Sequence, residues 1–171
     1  MEKHHSKYVD WAWEVLHAYF ERRHPQLKSA EGFDNKAACF VSIYNQNDNS
    51  LRGCIGTLEP NQLNLKEEIH SNTISAAFHD PRFLPLRKDE MKDIYISVDV
   101  LDTPESISSV EKLDPQIYGV IVSSKGRKGV LLPALPGIET VRDQLAIAMK
   151  KAGIDSGESI ELYRFKVKRY H

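Results

Sequence analysis

The segment LRGCIGTL, residues 51–58, places one of the chain's two cysteines between two glycines and two residues after an arginine. In an extended strand, the side chains of Arg52 and Cys54 lie on the same face, roughly 7 Å apart. A nearby guanidinium favours the thiolate, which is the nucleophilic form of cysteine. Gly53 and Gly56 cost strand stability and indicate a bulge or the close approach of a ligand. Because buried cysteine is also a common core residue, Cys54 is either a reactive thiol or a small packing residue.

A second group of chemically capable side chains lies in AAFHDPRFLPL, residues 76–86, where a helix is expected to end. His79 is placed to act as general base for a thiol, with Asp80 orienting it, and Glu90 is a second candidate for handling protons. Structural roles explain the same residues, since histidine interacts well with the end of a helix and aspartate before proline is a common turn pair. Arg82 is then either an anion anchor or a salt bridge that ties the turn to the sheet.

The composition bounds the classes of protein to which the chain can belong. Its 171 residues suit one domain, or one domain with two lobes. The net charge of -1 provides no global basic field, so nucleic acid is not an expected partner. No apolar run approaches the ~20 residues of a membrane span, and the first residues carry no apolar signal core. We therefore expect a cytoplasmic location with reduced thiols and no membrane partner.

Motifs for metals and cofactors are absent from the sequence. Cys39 and Cys54 lack the CxxC spacing of a structural zinc site, and no GxGxxG, HExxH or GxSxG pattern occurs. The segment SSKGRKG, residues 123–129, has glycines and basic residues without Walker spacing, so a hairpin turn is the preferred interpretation. The sequence thus identifies no metal site, cofactor or oligomeric state.

Hydrophobic periodicity predicts the elements that must position these residues. Helices are predicted at 6–24, 64–80 and 138–153; Ser6 and Asn64 are expected to cap the first two, and Pro25 and Gly153 to stop the first and the third. Strands are predicted at 36–44, 51–58, 93–101, 118–124, 128–133 and 160–170, with a connection at 103–116. The inward stripe of the first helix is predicted to contain Val9, Ala12, Leu16 and Tyr19, with Trp11 and Trp13 packing at its flanks.

The order of these elements predicts the fold class. After the N-terminal helix, a hairpin, a helix and a strand follow one another twice, which is a pseudo-repeat of a β-β-α-β unit. Two hairpins favour largely antiparallel sheets with flanking helices, so the class is α+β. The two lobes are expected at approximately 1–102 and 103–171.

Five segments of the chain resemble one family in their order and spacing. They are LRGCIGTL, AAFHDPRFLPL, IYISVDVL, GVIVSSKGRKGVLLP and AIAMKKAGI. The family is the AMME chromosomal region protein family, whose AMMECR-type domain is the A component of the microbial AmmeMemoRadiSam system. The motif residues that match are Arg52, Gly53, Cys54, Ile55, Gly56, Thr57, Asp80, Pro81, Arg82 and Phe83. The resemblance implies an α+β fold with unequal lobes and functional association with a Memo-like protein and a radical S-adenosylmethionine enzyme, but it identifies no reaction.

Two functions are open on this evidence. In the preferred one, the chain is a binding or adaptor component of a modification pathway, with a ligand groove lined by the LRGCIGT strand and the HDPRF turn. The binding residues are then Arg52, Gly53, Ile55, Gly56, Thr57, Asp80, Arg82 and Phe83. In the alternative, the chain is a thiol-dependent enzyme with Cys54 as nucleophile, assisted by Arg52 and His79. Binding is preferred because no complete catalytic set is visible; a third interpretation makes the motif purely structural.

Overall fold

Helix α1 (Lys7–Glu21) is the first element of the computed structural model, which describes residues 6–171. Ser6 caps the helix as predicted, because its hydroxyl accepts the backbone N–H of Tyr8 at 3.3 Å. The helix ends at Arg22 in the left-handed conformation, with φ 56°, before the predicted stop at Pro25. The last residues of the predicted helix 6–24 therefore lie outside it.

One member of the predicted inward stripe of α1 is misassigned. Val9, Ala12 and Leu16 are buried as predicted, but 51% of Tyr19 is exposed. Its ring stacks on that of Phe78, with the ring centroids 4.0 Å apart. Helical spacing predicts only the direction in which a side chain points, not how deeply it is buried. Tyr19 points toward α2 but lies at the border of the contact between the two helices, so part of its ring stays exposed to solvent.

The other two helices begin at side-chain caps. Asn64 caps α2 (Leu65–Phe78) by accepting the backbone N–H of Glu67 at 3.0 Å, as its capping-box spacing predicts. Thr140 caps α3 (Val141–Ala152), and Gly153 ends it with φ 64°, as predicted. Both helices are shorter than predicted, since α2 ends two residues before Asp80. No helix among the described residues combines the length and apolarity needed to cross a membrane.

The strands form two four-stranded sheets. The first has the order β2-β1-β3-β8, with β1 at Cys39–Asn45, β2 at Leu51–Gly56, β3 at Ile94–Leu101 and β8 at Val167–Tyr170. The second has the order β4-β7-β5-β6, with β4 at Glu105–Ile107, β5 at Gly119–Ser124, β6 at Arg127–Leu131 and β7 at Glu161–Phe165. A 3-10 helix at Lys88–Asp93 lies between α2 and β3, and a second at Val110–Lys112 lies between β4 and β5.

The predicted β-β-α-β pseudo-repeat is confirmed by strand order. The hairpin β1–β2 is antiparallel and β3, which follows α2, pairs antiparallel with β1. The hairpin β5–β6 is antiparallel and β7, which follows α3, pairs antiparallel with β5. In each sheet, therefore, the first hairpin strand lies between its partner and the strand after the helix. The predicted α+β class is confirmed.

Two details of the strand prediction are wrong. The predicted strand 160–170 is two strands, because β7 ends at Phe165 and β8 begins at Val167 in the other sheet. The segment 103–116, predicted as a connection, contains the three-residue strand β4, which pairs with β7. A three-residue strand is too short to produce a recognisable alternation.

Each of two compact units has its own core. Among the described residues, one unit contains residues 6–100 together with Lys168–His171, and the other is Leu101–Val167. In the first unit, the apolar faces of α1 and α2 pack with those of β1 and β3, where Val41, Ile43 and Val98 are fully buried. In the second, α3 packs on β5 and β6.

Candidate functional site

Gly53 allows helix α2 to lie directly against strand β2. A Cβ atom at this position would overlap the carbonyl oxygen of Ala76 in α2. The second unit repeats the device, since a Cβ at Gly129 in β6 would overlap the carbonyl oxygen of Ala148 in α3. Gly53 is therefore required for packing, because the absence of a side chain lets the backbone of α2 approach β2 closely.

The pairing of β2 with β1 is irregular at Arg52, because Ile43 lies opposite Gly53 and Tyr44 lies opposite Leu51. The Arg52 guanidinium is held by a partner other than Cys54. Arg52 donates from Nε and Nη2 to the two carboxylate oxygens of Glu90, at 2.8 and 3.1 Å. The pair is largely buried, with 13% and 20% of the side chains exposed. The hydrogen bond from Arg52 lowers the pKa of Glu90, and the backbone N–H of Arg87 adds a further bond. Glu90 is thus an ionised structural partner, 38 residues from Arg52 along the chain.

The two halves of the predicted site meet at the backbone of Cys54. The Asp80 carboxylate accepts the N–H of Cys54 at 3.0 Å, and Nη2 of Arg82 donates to the Cys54 carbonyl at 3.1 Å. Arg82 also donates from Nη2 and Nε to Asp80, at 2.8 and 3.0 Å. We call this arrangement the Asp80–Arg82 clamp. β2 is an edge strand, so the N–H and C=O of Cys54 have no neighbouring strand on their outer side. The clamp supplies the acceptor and the donor that a further strand would provide for these two groups.

The two side chains of the clamp differ sharply in exposure. Only 2% of the Asp80 side chain is exposed, against 56% of that of Arg82. The Arg82 hydrogen bonds hold the pKa of Asp80 well below its usual range, with the N–H of Cys54 contributing in the same direction. Asp80 is therefore a buried carboxylate that depends on Arg82 for its counter-charge.

Burial keeps the Cys54 thiol in its neutral form. The side chain is half-buried, and Ser42 Oγ, opposite it on β1, donates to Sγ at 3.2 Å. Burial raises the pKa of the thiol; the Ser42 bond and the positive charge of Arg82 oppose the shift, while Asp99 and Asp80 add to it. Arg82, rather than the predicted Arg52, contributes a positive charge that lowers the pKa of this thiol, but the net direction of the shift disfavours a thiolate.

A second ion pair, whose carboxylate is buried, lies on the same sheet face as Cys54. Arg169 of β8 donates from Nε and Nη2 to Asp99 of β3, at 2.8 and 2.9 Å. Only 4% of the Asp99 side chain is exposed. The alternation of β3 predicts a half-buried strand, but Ser97 and Asp99 on its second face are also buried. Sequence reasoning missed this pair, because its members lie 70 residues apart and share no motif.

The remaining motif residues are also fixed by contacts. Thr57 donates to Glu68 of α2 at 2.5 Å, and Glu68 is almost fully buried. A Cβ at Gly56 would overlap the ring of Phe40. Ile55 packs against the core of the first unit. These contacts give the predicted binding residues structural roles.

His79 and Phe83 lie at the ends of the turn. The His79 side chain is exposed at the C-cap of α2, and no hydrogen bond joins its imidazole to the Cys54 thiol within residues 6–171. The ring of Phe83 lies 5.4 Å from the Arg82 guanidinium. No group of three or more His, Cys, Asp or Glu side chains that could hold a metal ion occurs in the described part of the chain.

Comparison with known proteins decides the family. The model of the AMMECR1 family matches residues 9–170. The chain belongs to the AMMECR1 family. A protein of Thermotoga maritima is 44% identical over 168 residues, which are 95% of this chain and 96% of that protein. The crystal structure of uncharacterized protein PH0010 from Pyrococcus horikoshii matches with a TM-score of 0.82 and 27% identity, covering 95% of this chain and 88% of that one.

The AMMECR1 region also occurs within longer chains. A protein of Clostridium acetobutylicum is 49% identical over 146 residues, which are 85% of this chain but only 31% of that protein. In Saccharolobus islandicus, the aligned 112 residues are 60% of this chain and 49% of the relative. The resemblance inferred from the motifs is confirmed, and the domain is found both nearly alone and joined to further sequence.

Alkylation across pH tests the state of the Cys54 thiol in this AMMECR1 chain. We expect iodoacetamide to modify Cys54 more slowly in native protein than in urea, with a rate that rises only above the ordinary thiol range near ~8.5. Cys39 is an internal control, because burial raises its pKa to about 12. Mass spectrometry of peptides quantifies both sites. Fast labelling of native Cys54 below pH 8 would contradict this assignment and favour thiol chemistry.

Proposed function

We propose that the chain is a binding component that contacts a partner protein through the loop at residues 82–85. The observation that carries this proposal is the exposed loop Arg82–Phe83–Leu84, held in place by the clamp. In contrast, the polar groups of the motif are engaged by internal bonds. A surface built this way supports recognition better than chemistry at the sulfur.

The loop is short and anchored at both ends. The N–H of Phe83 donates to the carbonyl of Asp80 at 3.1 Å, and that of Leu86 donates to Ala77 at 2.8 Å. Leu86 is buried, whereas 82% of Leu84 is exposed. An arginine and an aromatic ring are residue types enriched at protein interfaces, and the exposed leucine adds apolar area that a partner could bury. Because the loop is anchored, little entropy is lost when it binds.

The partners we propose are a Memo-like protein and a radical S-adenosylmethionine enzyme, within a modification pathway in the cytoplasm. The motif resemblance suggests both. The Clostridium acetobutylicum relative supports a component role, because in that protein the domain is one part of a much longer chain. The thiol-dependent enzyme remains the alternative, and the neutral, half-buried state of Cys54 weighs against it.

Binding of the purified partner proteins tests the proposal. We expect one of the two, taken from the same genome, to bind the immobilised chain, and Leu84→Asp to weaken binding about tenfold or more. Leu63→Asp is the matched control, because Leu63 is 85% exposed in another loop of the same unit. Biolayer interferometry measures the dissociation constants.

The same assay separates the two functions. Cys54→Ser and Cys54→Ala are expected to bind like the wild type when their thermal unfolding is unchanged. If both Cys54 variants lose binding and Leu84→Asp binds like the wild type, the thiol-dependent alternative would be supported. If neither protein binds, the proposed partners are wrong. If Leu84→Asp and Leu63→Asp weaken binding equally, the loop at residues 82–85 is not the contact surface.

A further inference from the structure

A cavity of about 530 Å³ lies beside helix α1, within the first unit and apart from the motif. Its second wall is the segment 26–33, which runs next to the helix. The segment is fastened near both ends, because Gln26 N–H donates to the Glu14 carboxylate at 2.8 Å and Tyr8 Oη donates to the carbonyl of Gly32 at 3.0 Å. These two hydrogen bonds fasten the segment to helix α1.

Aromatic side chains form much of the cavity lining. Trp11, Trp13 and Phe33 line it together with Leu27. Trp11 and Phe33 are buried, and their ring centroids lie 6.5 Å apart. The volume is in the range of small-molecule sites, and aromatic walls with a few polar groups are typical of them. The aromatic lining suits a ligand that contains an aromatic ring.

The charges around this cavity favour an anionic group on that ring. Glu14 forms an ion pair with Arg23, which lowers the pKa of Glu14 to about 2, so its charge is compensated. Asp10 also lines the cavity and has contacts of its own. Lys7 and Lys28 line it too, and neither is in an ion pair with a carboxylate of residues 6–171. The lining thus includes two ammonium groups without a carboxylate partner among residues 6–171, whereas Glu14 and Asp10 each have contacts of their own.

We infer that this cavity binds a small aromatic carboxylate, with its ring against the tryptophan side chains and its carboxylate at Lys28. Lys28 is exposed and has no hydrogen-bonding role within the described structure, whereas Lys7 already donates to the carbonyl of Glu31 at 2.7 Å. Lys28 is therefore the cation available to a ligand. The site is independent of the proposed partner loop.

Two indole signals make the cavity directly observable. Trp11 and Trp13 are the chain's two tryptophans, and both line the cavity. In a 1H–15N spectrum of the full chain, the side-chain Nε1–H peaks are assigned with Trp13→Phe. The probes are 2-naphthoate, neutral 2-naphthamide and cationic 2-naphthylmethylammonium, which share a ring system and differ in charge. We expect 2-naphthoate to shift both peaks saturably and to bind the most tightly.

Lysine variants test the placement of the carboxylate. Lys28→Ala is expected to weaken 2-naphthoate binding about fivefold, the effect of removing one exposed ion pair, and to leave 2-naphthamide unchanged. Lys36→Ala is the matched control, because Lys36 is exposed in the same unit but does not line the cavity. Equal or tighter binding of the amine or amide, equal effects of the two lysine variants, or no saturable shift with 2-naphthoate would each overturn the inference.

Discussion

Gly53→Ala is expected to lower the free energy of unfolding by about 3 kcal/mol, because the added methyl group meets a helix backbone. The overlapping atom is the carbonyl oxygen of Ala76, which cannot turn away as a side chain would. Either α2 must move off the sheet or β2 must bend, and each response disturbs the core that the two elements share. For a chain of this size, the loss corresponds to a fall in melting temperature of ~10 °C.

Thermal unfolding followed by tryptophan fluorescence measures this effect, because Trp11 and Trp13 lie in the same unit as Gly53. Gly157→Ala is the matched control, since a Cβ there meets no atom within 4 Å and the residue has no left-handed φ. A melting temperature for Gly53→Ala equal to that of the control would show that the glycine is not required for packing.

Arg82→Met is expected to destabilise the chain by about 3 kcal/mol at pH 7, because it leaves the buried Asp80 carboxylate without its counter-charge. The value is at the low end of the range for a broken buried pair, since Arg82 itself is half exposed. The Asp80 carboxylate retains two backbone N–H donors, those of Cys54 and of residue 82. Urea denaturation with fluorescence detection measures the difference.

The pH dependence of this effect follows from the direction of the Asp80 pKa shift. The folded-state pKa of Asp80 is lowered, so its contribution to stability is complete above the unfolded value near ~3.9 and is lost as pH falls through the lowered folded value. In Arg82→Met the folded-state pKa rises, and the contribution shrinks. The gap between wild type and variant is therefore expected to be widest near neutral pH and to close as the solution is acidified below ~4.

Two further variants identify the clamp as the cause. Arg87→Met removes another arginine that pairs with an aspartate two residues away, but both partners are exposed, so little change in stability is expected. Arg82→Met combined with Asp80→Asn should recover part of the loss, because an amide still accepts the N–H of Cys54 and needs no counter-charge. Equal losses in Arg82→Met and Arg87→Met would refute the clamp.

Most elements of the fold could be predicted from the sequence because their periodicities are strong. Side chains repeat every 2 residues in a strand and every 3.6 in a helix, and the caps Ser6 and Asn64 mark where the first two helices begin. The break between β7 and β8 was not predictable, because the alternation of Tyr163, Phe165 and Val167 continues through it. Such a pattern specifies an extended chain but not which sheet it joins.

The site could be predicted only to the level of its residues. The motifs identify the strand and the turn that meets it, but strand alternation does not foresee the irregular pairing of β2 with β1 at Arg52. The partner of Arg52 could not be found, because Glu90 is distant in the chain and lies in a 3-10 helix. The clamp binds the Cys54 backbone, a feature every residue shares, so side-chain chemistry could not indicate it.

The position of β8 has a consequence for synthesis of the chain on the ribosome. This strand joins β3 at the edge of the first sheet, although it follows every element of the second unit in the chain. During translation, Asp99 is made long before Arg169. The Asp99 carboxylate, which is buried and paired in the folded protein, therefore has no Arg169 partner until residue 169 has been synthesised. The first unit therefore completes its sheet only when the C-terminal residues emerge, and its nascent form has an open strand edge at β3 that chaperones or neighbouring chains can reach.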